Sequence, residues 1–528
     1  MKNHSSHYIK NLLLPCLTFS VITGVFSTLL ITTFQLCAQQ IISLSLNIFG
    51  FVRSNWMWLP CLILGAAAVG FISSLILSHS ETCRGGGIPS SIAAIQGIIS
   101  LNWIKGVLVL PFSALLSFLC GIPLGTEGPS VQMGTSVGDG VVKLFGGKKQ
   151  IGWRRYIMTG GASAGFSLVT GAPITAILFS VEELHRHFSP LLFSVVAISV
   201  IVSQMIAQIL GHFGLSSLGL FHIEALETLP ISLFLLPLVL GLLCGGCSVF
   251  FAKLYHKVDK LVRVRLASIS IKIKLPLIFV CVALIGFFVS EILGSGHSLI
   301  EHLFDRQVVW YVLIIAFLIR AILMMIANTA GVTGGIFLPI LAFGAVIGSL
   351  CGELFIALGV IDSKYYLLFV VLGMTSFLGA TSRIPVTACV FAIEAMSGAN
   401  NILPIIISAT AAFLIVELSG TKDFTDTVIE FKEHAAHKDK EPYSVEVPLT
   451  VYENSFVVDK ELRDILWPVS CVILSVDRAP SNKDKLALGV GDVITVYYKT
   501  YDPIATAEEF EVLVGDQAED IDRVMRPM

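Results

Sequence analysis

Three short stretches carry the residues with most chemical potential: Gly85-Gly86-Gly87-Ile88-Pro89, Gly125-Thr126-Glu127-Gly128-Pro129 and Gly334-Gly335-Ile336-Phe337-Leu338-Pro339. Each ends in proline, which suits the first turn of a helix because its missing N–H costs nothing there. The glycines before it let the chain turn tightly and let other groups approach closely. A helix start exposes unpaired N–H donors and a partial positive charge. Several such starts meeting in an apolar interior would hold a small anion without any fixed cation. Amide dipoles bind moderately, whereas a buried Lys or Arg would hold the ion too tightly for release. None of the three stretches contains Lys or Arg.

Glu127 stands inside the second stretch. Its carboxylate is itself an anion and would compete for the same N–H groups; protonated, it is neutral and can leave. One residue could therefore link a proton to anion passage, and a carboxylate in a membrane interior reads as functional by default. The bland alternative is a first-turn glutamate that complements the helix dipole. Glu182 and Glu183 follow the segment that starts at Pro173. Glu182 has a twin in Glu394, so that pair reads as structural, each acid holding backbone or a helix end. Glu183 has no twin, the matching residue being Ala395, and an unpaired acid at the inner end of a midplane helix suits a proton acceptor. His185 and His187 read as a wet interfacial pair. Arg320 and Arg383 read as structural partners of acids or of carbonyls at helix C-termini.

The elements that must position these groups are membrane helices. The 528 residues are 55% hydrophobic and 13% charged, against about 25% charged in soluble proteins, and mean hydropathy is +0.84. The near-neutral net charge of −3 gives no argument for nucleic acid. Runs at 11–36, 57–79, 103–124, 190–212, 228–255, 275–293 and 309–328 are long enough to cross a hydrocarbon core of about 30 Å. The first follows Lys2 and Lys10 and exceeds a signal-peptide core, so it reads as a retained membrane helix. Shorter segments at 87–99, 128–145, 173–184, 335–351 and 385–396 are punctuated by Gly or Pro; a helix of about 12 residues reaches only about 18 Å. Interrupted segments of this kind line sites near the bilayer midplane. The pair Cys244 and Cys247 lies in an apolar, glycine-rich run and reads as helix packing rather than a metal or redox site.

The chain repeats itself. Pro173, Thr175, Ala176, Phe179 and Glu182 recur as Pro385, Thr387, Ala388, Phe391 and Glu394, and Pro129, Gly134 and Gly138 recur as Pro339, Gly344 and Gly348. Two homologous halves follow, about 80–212 and 290–420, and an inverted relation between them is the expectation for a transporter. The basic stretch 256–274 is expected as a cytoplasmic loop. Composition turns polar past Thr421, and a small soluble α+β domain is expected, with strands at 445–451, 471–476 and 493–498, a short helix at 459–465 and a turn at Gly489-Val490-Gly491-Asp492. The reading is thus an all-α polytopic membrane protein of two inverted repeats of full and half-spanning helices (1–435) with a cytoplasmic α+β domain (436–528).

The three glycine signatures, in this order and with the Glu-Glu pair after the duplicated helix, resemble the CLC family of chloride channels and chloride/proton exchangers. The resemblance covers about residues 10–435. It implies a homodimer in the cell membrane with one anion path per subunit, transporting chloride and protons, with no cofactor, metal or catalytic chemistry. Glu127 matches the gating glutamate and Glu183 the internal proton glutamate of the exchangers. The backbone N–H groups of Ile336 and Phe337 match those that hold the central chloride, while Gly86, Gly87, Ile88, Pro89, Gly125, Thr126, Gly128, Pro129 and Gly335 complete the three signatures. Two positions depart from the family pattern. The serine in the middle of the first motif is here Gly86, and the tyrosine of the last helix is absent, its nearest matches being Phe424 and Thr425. The stretch 445–515 resembles the RCK C-terminal (TrkA-C) fold, which implies a small regulatory ligand. The intact Glu127-Gly128-Pro129 argues against the fluoride-exporting branch.

Chloride/proton exchange is the leading expectation, resting on Glu127 with Glu183. A passive chloride channel is the alternative favoured by Gly86 and the missing tyrosine. A cation transporter would need a carbonyl or acidic filter, and Gly331-Val332-Thr333-Gly334-Gly335 is not one. An intramembrane enzyme lacks any H-E-x-x-H or G-x-S-x-G motif.

Overall fold

The computed structural model describes residues 14–515 except 86, 147–151, 216–218, 222, 224, 267, 290–291, 306–309, 438–442, 454, 469–470, 483–485 and 502. In chain order the helices are α1 (Leu14–Ser54), α2 (Leu59–Ser78), α3 (Ile88–Ile95), α4 (Trp103–Leu119), α5 (Glu127–Phe145), α6 (Arg154–Thr170), α7 (Pro173–Phe179), α8 (Pro190–His212), α9 (Leu235–Arg265), α10 (Ile271–Phe288), α11 (His297–Phe304), α12 (Trp310–Thr329), α13 (Phe337–Ala357), α14 (Tyr366–Thr381), α15 (Pro385–Ala395), α16 (Ile402–Leu418) and α17 (Phe424–Ala436). Among the described residues, eight helical segments are long and apolar enough to cross a membrane.

The differences from the sequence reading have physical causes. The first helix runs on to Ser54, because 37–54 contains no Pro and no glycine before Gly50 to stop it. The basic stretch is not all loop, since α9 continues through Lys257, Lys260 and Arg263 to Arg265; these are good helix formers, and cations favour a helix C-terminus. Helices α5 and α13 are 19 and 21 residues long, a little longer than the segments expected at 128–145 and 335–351. The shortest helices are α3 and α11, with eight residues each, and α7, with seven. Lys2, Lys10, Lys148, Lys149 and Gly86 lie outside the described residues.

The glycine echo is explained by packing. A Cβ on Gly134 would lie 2.0 Å from the Gly161 carbonyl oxygen, and one on Gly138 would lie 2.5 Å from that of Ile157. In the second half, Gly344 and Gly348 would meet the oxygens of Gly373 and Phe369 at 2.5 and 2.2 Å. Helices α5 and α6 therefore touch backbone to backbone, as α13 and α14 do.

The twin acids show how the halves join. The carboxylate of Glu182 accepts from the amides of Val386 (3.0 Å) and Thr387 (2.6 Å) and from the Thr387 hydroxyl (2.6 Å). Glu394 accepts from the amides of Ile174 (3.0 Å) and Thr175 (2.9 Å) and from the Thr175 hydroxyl (2.8 Å). Each acid caps the exposed first turn of the other half's short helix. Because each C-terminal end sits at the other's N-terminal end, α7 and α15 run antiparallel, as an inverted repeat requires. Arg383 pairs with Glu417 and the Thr421 carbonyl, and Arg320 donates to the Gly294 carbonyl at 2.6 Å.

The C-terminal domain is a three-stranded antiparallel sheet, β1 (Tyr443–Thr450), β2 (Cys471–Asp477) and β3 (Val493–Thr500), in order β1-β3-β2, followed by α18 (Pro503–Val514). The expected short helix is a 3₁₀ turn at Leu462–Asp464. Asp492 pins the expected turn by accepting from the amides of Gly489 and Ala479, both at 2.9 Å. The domain docks on the start of α6. The Phe456 ring meets Trp153 edge-on at 5.4 Å, the Leu466 amide donates to the Tyr156 hydroxyl at 3.0 Å, and Arg155 reaches Glu509 at 2.8 Å and the Trp467 carbonyl at 2.6 Å.

Candidate functional site

The three signatures meet. Gly125 and Gly335 exchange a pair of backbone hydrogen bonds, both 2.7 Å. A Cβ on Gly128 would lie 2.7 Å from the Cα of Gly335 and 3.2 Å from the Cα of Gly87. The starts of α3, α5 and α13 therefore converge to direct backbone contact, which only glycine permits. Side chains lock the junction: Gln132 accepts from the Gly87 amide and donates to the Thr82 carbonyl, both at 2.8 Å, and Thr333 donates to the Cys83 carbonyl at 3.1 Å. Gln132, five residues after Glu127 on α5, was not singled out in the sequence.

The backbone donors at the junction fall into two sets. The amides of Gly125 and Gly335 bond each other and that of Gly87 bonds Gln132. Those of Ile336 and Phe337, at the first turn of α13, have no acceptor among the described residues. They are free to serve a bound anion. Ile336 and Phe337 line a cavity of about 930 Å³, together with Ile88, Pro89, Gly128 and Phe424. The same cavity is lined by Arg84, Arg263, Lys274 and Lys432 against the acids Glu81 and Glu183, an excess of cations that favours anions in the vestibule.

Glu127 opens α5 directly after Thr126, the helix N-cap, with Pro129 in its first turn, and it is fully buried. Its side chain folds back over Gly125, where an added Cβ would sit 2.2 Å from Oε2. Neither carboxyl oxygen has a hydrogen-bond partner among the described residues. A buried carboxyl without partners is costly, and here it lies at the meeting point of three helix starts.

Glu183 lies at the far end of the short helix α7, in a π-helical turn over Ser180–His185, a feature often found at functional sites. It is 4% exposed and also lines the cavity. The Thr425 hydroxyl donates to it at 3.3 Å. Arg186 closes the outer side by pairing with Asp426 at 2.9 Å and Asp423 at 3.5 Å. Thr425 thus serves the acid, while Phe424 lines the cavity and packs against Tyr255, ring centroids 5.9 Å apart. His187 is exposed, but His185 is half-buried and bonded to Thr159 at 2.8 Å; the turn folds it inward, so the two are not a wet pair. The aromatic ring of Phe337 rests on Phe166 at 5.1 Å, which stacks on Phe179 at 4.5 Å.

Known proteins share this architecture. The structure is similar to that of a slow cyanobacterial Cl⁻/H⁺ antiporter (21% identity, TM-score 0.71, covering 79% of this chain and 98% of that one). It is also similar to a eukaryotic CLC transporter (19% identity, TM-score 0.66, 80% and 74%). A CLC-type fluoride/proton antiporter matches too (20% identity, TM-score 0.62, 77% and 96%). At these identities the likeness establishes the fold. The sequence profile of one family, described as voltage gated chloride channel, matches residues 65–417, and the chain belongs to this CLC family.

Proposed function

We propose that the chain exchanges chloride for protons across the bilayer, with Glu127 as the gate and Glu183 as the internal proton acceptor. The observation that carries this reading is the backbone contact of three helix starts at Gly128 with the unpartnered carboxyl of Glu127 folded onto it. A chloride reaching the Ile336 and Phe337 amides competes with that carboxylate for positive potential. A proton delivered through Glu183 neutralises it, and the neutral side chain swings away to let the anion pass. The basic stretch around α9 and the Arg154–Arg155 end of α6 lie on the side that carries the C-terminal domain, which supports a cytoplasmic placement of that domain. Two copies would form the working unit, and the C-terminal domain would take a small regulatory ligand.

The test is a proteoliposome assay with an imposed chloride gradient. Wild type should drive protons uphill; Glu127→Ala should pass chloride without protons; Glu183→Gln should stop proton movement while chloride still flows. Wild type that moves chloride with a reversal potential blind to pH would sink exchange. That outcome would favour the passive channel, for which the donor-free ring of Phe424 on the cavity wall is the supporting feature.

A further inference from the structure

The vestibule contains a side-chain amide that the signatures do not foretell. Asn328, near the end of α12, is half-buried and lines the cavity beside Gly85, Gly334 and Phe424. Its Oδ1 accepts from the Tyr255 hydroxyl at 2.9 Å, and its Nδ2 faces the Gly85 carbonyl at 3.5 Å. This orientation is forced. A carbonyl only accepts, so the NH₂ group must face Gly85 and the amide oxygen must face the hydroxyl. The contact to Gly85 lies at the limit of a hydrogen bond and uses one of two N–H donors. The other remains for the cavity.

The location matters because Gly85 immediately precedes Gly86, where the chain lacks a hydroxyl, and Phe424 stands where a second hydroxyl is missing. Tyr255 packs its ring on Phe424 and spends its hydroxyl on Asn328. We propose that Asn328 is an anion-binding residue of the vestibule, its Nδ2–H donating to chloride on the way to the central site, with Tyr255 as the positioning residue that fixes the amide. The proposal rests on the anion-transport reading above.

The test is chloride titration by calorimetry on the purified full chain, paired with chloride flux in liposomes. Asn328→Asp keeps the volume and the oxygen facing Tyr255 but replaces the donor with a carboxyl. Asn328→Ala removes both. Each should weaken chloride binding about tenfold or more, the loss expected for one hydrogen bond to a charged group. Tyr255→Phe should weaken it about threefold, by releasing the amide orientation, and should raise the chloride concentration for half-maximal flux without lowering the maximal rate. A purely structural tie would lower the maximal rate and leave affinity alone. If both Asn328 variants bind chloride within twofold of wild type, the proposal is overturned while anion transport stands. If wild type binds and moves no chloride, both readings fail together. Should Asn328→Ala not fold, Asn328→Asp decides the same question.

Discussion

Replacing Gly128 with alanine puts a methyl carbon 2.7 Å from the Cα of Gly335 and 3.2 Å from the Cα of Gly87. Carbon atoms in contact prefer about 3.5–4.0 Å, so the junction must open by roughly 1 Å. Neither neighbour can yield by turning a side chain, because both are backbone. Gly335 is tied to Gly125 by two bonds of 2.7 Å and Gly87 to Gln132 by one of 2.8 Å. Relief therefore moves the start of α13, and with it the Ile336 and Phe337 amides. Overpacking of this kind costs about 1–3 kcal/mol, and a displacement near 1 Å at a site of positioned donors can cost about a hundredfold in rate. The variant should unfold at a lower temperature in detergent and lose most of its chloride efflux from liposomes. Gly65→Ala is the control, since no atom lies within 4 Å of its added methyl; inside helix α2 it should gain about 0.5–1 kcal/mol. Wild-type melting and wild-type flux in Gly128→Ala would refute the convergence of the three helix starts.

Glu182→Gln and Glu394→Gln each weaken three hydrogen bonds to a carboxylate. They should lower stability by similar amounts, about 1–2 kcal/mol each, and thermal melts that differ widely between them would contradict the two-fold relation. Burial against Phe456 pushes the Lys460 ammonium from 10.5 down to about 7. Between about pH 7 and 10.5 the unfolded chain then holds a proton that the folded domain sheds, so the domain gains stability as pH rises through that window, by at most about 1.4 kcal/mol per pH unit; below it the dependence flattens. Urea unfolding of the full chain followed through Trp467 fluorescence should show this slope, and Lys460→Met should abolish it. Tyr156→Phe removes the hydroxyl that accepts from the Leu466 amide and donates to the Asp464 carbonyl, so hydrogen exchange across 462–467 should quicken while the β3 strand stays protected.

The pattern of glycine, proline and duplicated acids was enough to read the family, the two halves and the roles of Glu182 and Glu394, because each follows from an obligation of a helix end or a helix crossing. Helices α6, α14 and α16 were not foreseen. Helix α6 is crowded with small residues such as Gly160, Gly161 and Gly165, which serve close helix contact and dilute its hydropathy, whereas α14 and α16 are apolar enough to cross a membrane and carry a signal legible in the sequence. Gln132, Asn328 and Tyr255 were also missed. A polar side chain that satisfies a distant loop has no local spacing, and its pairing, 255 with 328 or 132 with 87, is set only by the tertiary fold. His185 misled for a related reason: its charge-prone surroundings in sequence suggest an interface, but the π-helical turn rotates it onto Thr159.

The reciprocal capping by the twin acids also bears on assembly. Synthesised first, α7 must wait for a residue more than two hundred positions downstream before its leading amides find a carboxylate. Until then those donors face lipid or must borrow partners, each at a cost of several kcal/mol. Neither half is therefore a finished object by itself, and a truncated chain ending in the connector between them would leave an open helix end inside the bilayer.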